Sequence, residues 1–151
     1  MLNTVNKLKD ILKAQITKGN TLYYIEEIEN DKLTNLLSRS FPRTPFINIE
    51  VTSVDTENVL NNKINQTMQV DLQILIKSTH NSNIQVGYDT KKKVGYLKIA
   101  DDVRTVLNNN TQVSGYWTEL TITGGSQLEV NADDDVVQGW TMNLEILKKC
   151  I

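Results

Sequence analysis

Residues 66–77 read Gln-Thr-Met-Gln-Val-Asp-Leu-Gln-Ile-Leu-Ile-Lys. Met68, Val70, Leu72, Ile74 and Ile76 occupy every second position, with Gln69, Asp71, Gln73 and Lys77 between them and Leu75 the one exception. Successive side chains of a strand point to opposite faces, so this stretch is a strand with one apolar face and one polar face. We take it as the central strand of a sheet. The rest of the chain must supply its neighbours and cover its apolar row.

Three other stretches have the same period. In residues 46–54, Ile47, Ile49 and Val51 alternate with Asn48, Glu50 and Thr52. The polar connector 55–65 that follows is too short for a crossover helix, so these two strands are expected to run antiparallel. Residues 115–123 place Tyr116, Thr118, Leu120 and Ile122 on one face and Trp117, Glu119, Thr121 and Thr123 on the other. Residues 136–149 place Trp140, Met142, Leu144 and Ile146 opposite Thr141, Asn143 and Glu145. Between the last two strands, Gly124-Gly125-Ser126 and Asp133-Asp134-Asp135 mark residues 124–135 as the wide polar tip of a long C-terminal hairpin.

Two stretches can provide the cover. Val5, Leu8, Ile11, Leu12 and Ile16 recur at helical spacing over residues 3–18, and Gly19-Asn20 ends that helix. Tyr96, Leu97, Ile99, Ala100, Val103, Val106 and Leu107 give residues 89–109 a broad apolar face, with Gly95 favouring a later start. Residues 22–28 have strand composition but can also continue towards a short helical turn at 31–37. The loop at 38–45 holds both prolines, Pro42 and Pro45. The expected fold is α+β, a single domain over residues 1–151. It has a four-stranded, mainly antiparallel sheet with two amphipathic helices packed on one face, and a long C-terminal hairpin. The other face would show Gln69, Asp71, Gln73, Glu119, Thr121, Asn143 and Glu145, with Trp117 and Leu75 exposed among them.

Composition narrows the function classes. Hydrophobic residues make up 39% of the 151, below the globular average of roughly 45–50%, which suits a chain that completes its burial in an assembly. The net charge of −2 and the lone basic run Lys91-Lys92-Lys93 leave no nucleic-acid footprint. A single cysteine, Cys150, rules out an intrachain disulfide and fits a reducing compartment. No apolar run approaches the roughly 20 residues of a membrane span. Lys7, Lys9, Asp10 and Lys13 interrupt any signal-peptide core. The expectation is a soluble protein without a membrane partner.

Catalytic patterns are missing. There is no Gly-x-Ser-x-Gly elbow, no His-Glu-x-x-His, no Cys-x-x-Cys and no phosphate-binding glycine loop. His80, the one histidine, has no acidic or cysteine neighbour and reads as a loop residue. Asp133, Asp134 and Asp135 lack the spacing of a calcium loop and read as a solvated acidic turn. No catalytic residue, cofactor or metal ligand is therefore expected. The candidate functional residues are those of an interface or lumen: Gln69, Asp71, Gln73, Glu119, Asn143 and Glu145 on the polar face, and Asp133, Asp134 and Asp135 at the tip.

The element order resembles that of the tail terminator (tail completion) proteins of tailed bacteriophages and phage-tail-like particles. The resemblance rests on Phe41-Pro42 through Ile49, the strand at 66–77, the helix around Leu97 and Leu107, and the hairpin 115–149, and it covers nearly the whole chain. Residues 22–37 depart from the simple linker of that pattern. The resemblance implies a non-enzymatic virion protein at the tail–neck junction, present in the host cytoplasm during assembly. It implies a homo-oligomeric ring, a hexamer in that family, which caps the polymerised tail tube and offers a docking surface to the head-completion or connector protein. DNA would pass the lumen without specific binding, kept from sticking by carboxylates. The alternatives are another virion module, such as a head–tail connector or tail tube subunit, and a small metal-dependent enzyme using His80 and the acidic tip.

Overall fold

The computed structural model describes residues 2–17, 19–38, 43–78, 95–132 and 135–149. Its elements in chain order are α1 (Leu2–Ala14), β1 (Glu27–Glu29), α2 (Leu33–Ser38), β2 (Phe46–Val59), β3 (Lys63–Ser78), α3 (Tyr96–Asn108), β4 (Glu119–Ala132) and β5 (Asp135–Lys148). The strands form one five-stranded sheet in the order β1-β2-β3-β5-β4. β1 runs parallel to β2, and every other pairing is antiparallel.

The expected four-stranded antiparallel sheet with two helices on one face is therefore corrected. The sheet has a fifth strand and is mixed, and a third helix covers part of the opposite face. The physical reason lies in β1 and α2. A three-residue strand has no period to read, and β1 exists because Glu27, Ile28 and Glu29 pair with Phe46, Ile47 and Asn48. The Glu26 N–H also donates to the Pro45 carbonyl at 2.9 Å.

The core follows the alternation of β3. Met68, Val70, Leu72 and Ile74 are all but fully buried, beside Ile47 and Ile49 of β2 and Met142, Leu144 and Ile146 of β5. Val5, Leu8 and Leu12 of α1 and Ile99, Val103, Val106 and Leu107 of α3 close over that row, so both helices sit on one apolar stripe each. Tyr24 ties the irregular segment to α3 by donating its hydroxyl to the Asp102 carboxylate, which Lys98 also holds at 2.8 Å. Burial, reinforced by that carboxylate, pushes the Tyr24 pKa far above its ordinary value.

A second, smaller core lies on the other face. Leu36 of α2 packs on Phe46, Leu75 and Val137. Leu75 is thus fully buried, contrary to its expected exposure: the one apolar residue in the polar row of β3 is the one α2 covers. Trp117 is also buried and lies outside the sheet, because residues 115–118 turn ahead of β4. Its Nε1–H donates to the Asn110 carbonyl at 2.9 Å.

Two stretches expected as polar loops are ladder. β2 and β3 stay paired out to Val59↔Lys63, and Leu60–Asn62 turns the chain with Asn61 and Asn62 at φ 66° and 59°. Asparagine tolerates that left-handed geometry, and tight hairpin turns demand it. A ribbon solvated on both sides has no apolar alternation, so its composition looks like a loop. β4 and β5 likewise pair from Glu119↔Leu147 out to Ala132↔Asp135. A bulge between Ile122 and Gly124 breaks the period of two there. Before it Leu120 and Ile122 join the main core; beyond it Leu128 and Val130 pack on the second core.

Candidate functional site

The open part of the second face is built by β2, β3, β5 and β4. One transverse row runs Glu50, Asp71, Asn143, Gly124, and the next runs Ser53, Gln69, Glu145, Thr121. Cross-strand neighbours on one face stand close enough to hydrogen-bond, and here they do. Asn143 Nδ2 donates to Asp71 Oδ1 at 2.8 Å, and Gln69 Nε2 donates to Glu145 Oε2 at 3.1 Å. Glu119 is exposed at the sheet's margin and accepts from Thr121 Oγ1 at 3.4 Å.

The structure thus brings Gln69, Asp71, Asn143, Glu145 and Glu119 onto one face. Gln73 shares the face but is buried beneath the segment leading into α2. Its Oε1 accepts from Asn48 Nδ2 at 2.7 Å, and the same Nδ2 donates to the Asp31 carbonyl at 2.9 Å. Asn48 Oδ1 in turn accepts the Asp31 N–H at 3.2 Å. This knot fastens the chain between β1 and α2 to the sheet. Gln73 therefore has a structural part and lies away from the open surface. Replacing Asn48 by Ala is expected to leave the Gln73 amide buried without its partner. That should cost about 1–3 kcal/mol, read as a lower denaturation midpoint with an unchanged slope.

Asp133 and Asp134 lie outside the described residues, as do His80, Lys91, Lys92, Lys93 and Cys150. Asp135 opens β5 opposite Ala132.

Sequence reasoning missed three acidic residues on this face. Glu50, Asp55 and Glu57 belong to the same side of β2, in register with Asp71, Thr67 and Asn65. The bulge between Val51 and Ser53 shifts the phase, so alternation counted from Ile47 puts Asp55 and Glu57 on the wrong face, whereas Glu50 precedes the bulge and keeps its phase. Asp55 and Glu57 also looked like loop. Glu50 Oε1 accepts the Leu33 N–H at 2.7 Å, which seats the start of α2.

The assembled surface is a half-wet, acidic sheet face: Glu50, Asp55, Glu57, Asp71, Glu119 and Glu145, with Lys63 at the ribbon tip. Among the described residues, no buried side-chain nitrogen or oxygen lacks a partner, and no three His, Cys, Asp or Glu side chains converge as metal ligands. Among them, too, no helix is long and apolar enough to cross a membrane. A face of this kind repels phosphates and presents paired amides and carboxylates to water.

The edges complete the picture. β1 covers β2 only from Phe46 to Asn48, so residues 49–59 of β2 have no outer strand partner among the described residues. β4 is the other outer strand; on its free side the Leu120 N–H donates to the Thr111 carbonyl at 2.8 Å. No protein-family model matches the chain, and no curated protein matches it in sequence.

Proposed function

We propose that this chain is a structural virion protein that assembles into a homo-oligomeric ring, a hexamer, closing the end of a phage tail tube. The ring stops tube growth and offers a surface to the head-completion or connector protein, while DNA passes through its lumen unbound. The observation that carries this reading is the acidic sheet face. Glu50, Asp55, Glu57, Asp71, Glu119 and Glu145 share one side of four adjacent strands. Carboxylates in a channel repel the phosphate backbone and keep the passage free of sticking points. The element order that resembles the terminator family supports the same reading, as does the low hydrophobic content of 39%.

The test has two parts. Mass photometry of the purified chain is expected to show a discrete closed oligomer in place of a continuous size distribution. Negative-stain microscopy with tail tubes is expected to show density at tube ends only. Tubes that keep bare ends in a saturating excess of the protein would sink the proposal. Filaments formed by the chain alone would turn it towards a tube subunit. The ribbon at Leu60–Asn62, whose Leu60 is 87% exposed, projects along the strand direction and is the contact such stacking would use.

A further inference from the structure

We propose that residues 31–37 form a strap that lifts off the second face on its own while the sheet stays folded. Lifting it uncovers an apolar patch at one end of the acidic face. The contact is autoinhibitory, because the chain's own segment withholds that patch until the strap opens. This rests on the fold alone and holds whether or not the chain forms a ring.

Three transverse rows of the second face grade from apolar to acidic. Phe46, Leu75, Gly139 and Leu128 form the first, Asn48, Gln73, Thr141 and Ser126 the second, and Glu50, Asp71, Asn143 and Gly124 the third. The strap touches all three on the β2 side. Leu36 packs on Phe46 and Leu75 of the first row. Asn48 of the second row accepts the Asp31 N–H at 3.2 Å and donates to the Asp31 carbonyl at 2.9 Å. Glu50 of the third row accepts the Leu33 N–H at 2.7 Å.

These attachments differ in kind from those of the sheet. β2, β3 and β5 are joined by long continuous ladders. The strap's backbone is tied down by two side chains, and water replaces such bonds at small net cost when they open. Asn48, Gln73 and Glu50 can all be hydrated once the strap is off. The apolar anchor is narrow. Leu36 is 1% exposed, but Leu33 and Leu37 are only half-buried, and Thr34 and Asn35 face water. A helix as short as α2 does not persist by itself, so it depends on that anchor. Beneath it, Phe46, Leu75 and Val137 still pack together and against Leu128 and Val130. The sheet therefore keeps its own cohesion when Leu36 leaves. A segment with few buried apolar contacts opens at lower free energy than the core strands it rests on.

Thiol labelling of the full chain tests this. Val137→Cys places a thiol under the strap and Val70→Cys places one in the main core, each in a Cys150→Ser background. Both valines are all but fully buried, so the two sites are matched. The Val137→Cys thiol is expected to react at least ~100-fold faster than the Val70→Cys thiol, at a rate that low urea barely changes, because a local opening exposes little surface. Hydrogen exchange of the wild-type chain should show the Leu33 and Leu36 amides opening together, well ahead of the Leu72 and Ile74 amides of β3. Leu36→Ser should hold the strap open. The Val137→Cys thiol then reacts within about tenfold of an unfolded-chain thiol, while the Val70→Cys thiol stays protected. Equal rates for the two thiols, with the same steep urea dependence, would mean that the strap leaves only when the whole chain unfolds, which overturns the inference. A fast Val137→Cys thiol in a chain whose Leu33 and Leu36 amides exchange as slowly as those of β3 also overturns it, since another movement then uncovers the patch. So does a Leu36→Ser change that exposes both thiols alike.

Discussion

Gly139→Ala is expected to unfold much of the population, costing at least about 3 kcal/mol. Gly139 lies on β5 between Leu75 of β3 and Leu128 of β4. A Cβ there would stand 1.7 Å from the Ile74 carbonyl oxygen and 2.8 Å from its carbon. The obstacle is backbone of the central strand, which cannot rotate away as a side chain would, so β3 and β5 would have to part. The second core depends on that closeness, since Phe46, Leu75 and Val137 pack there under Leu36. Gly124→Ala is the control. Its Cβ would meet only Asn143 Oδ1 at 3.5 Å, so its cost should stay within about 1 kcal/mol. Urea denaturation followed by circular dichroism separates the two. Equal midpoints would refute the close approach of β5 to β3.

Leu72→Asp is expected to be the other severe change. Leu72 is fully buried, paired with Ile49 on one side and Met142 on the other, under both long helices. A carboxylate there has no partner and must either stay charged in an apolar core or take up a proton. Such burial should cost more than about 4 kcal/mol. Domains of this kind hold roughly 5–15 kcal/mol in total, so most of the chain should be unfolded or insoluble. Its chain neighbour gives the contrast. Asp71 is half-buried on the acidic face, accepts one hydrogen bond from Asn143 and pairs across the strands with Glu50. Asp71→Lys loses that bond, at about 1–2 kcal/mol, and gains a carboxylate neighbour. It should stay folded, and in the ring proposed above it should increase retention of duplex DNA at low salt. An unfolded Asp71→Lys chain would mean that the two faces of β3 are assigned the wrong way round.

Both predictions concern neighbouring positions on the same sheet, and their legibility in sequence differs. The fate of Leu72 and of Asp71 is written in a period-two pattern, and side-chain alternation is a local property of extended backbone. Gly139 shows nothing in sequence beyond a glycine inside a strand, which marks a close approach without saying to what. The approach is to residue 74, far away along the chain, and only the strand pairing reveals it.

The candidate site was partly legible for the same reason. Gln69, Asp71, Asn143 and Glu145 sit in uninterrupted alternation and lie together where the pattern puts them. Asp55 and Glu57 were lost to a bulge at Thr52, whose hydroxyl donates to the Gln69 carbonyl across the break. Thr123 does the same at the β4 bulge, donating to the Asn143 carbonyl. One extra residue in one strand reverses every later face assignment. A threonine within an alternating run is a weak sign of such a break.

By itself, the sequence determined the central strand at residues 66–77, its apolar and polar rows, and the amphipathic faces of α1 and α3, because each is set by spacing along a single segment. Only the tertiary structure decided that β1 adds a fifth, parallel strand, that α2 buries Leu75, that Trp117 leaves the sheet, and that both polar connectors are ribbon. Those outcomes depend on pairing between residues far apart in the chain. Three residues cannot show a period, a solvated ribbon needs no apolar alternation, and a buried exception such as Leu75 is explained only by the element that comes to lie on it.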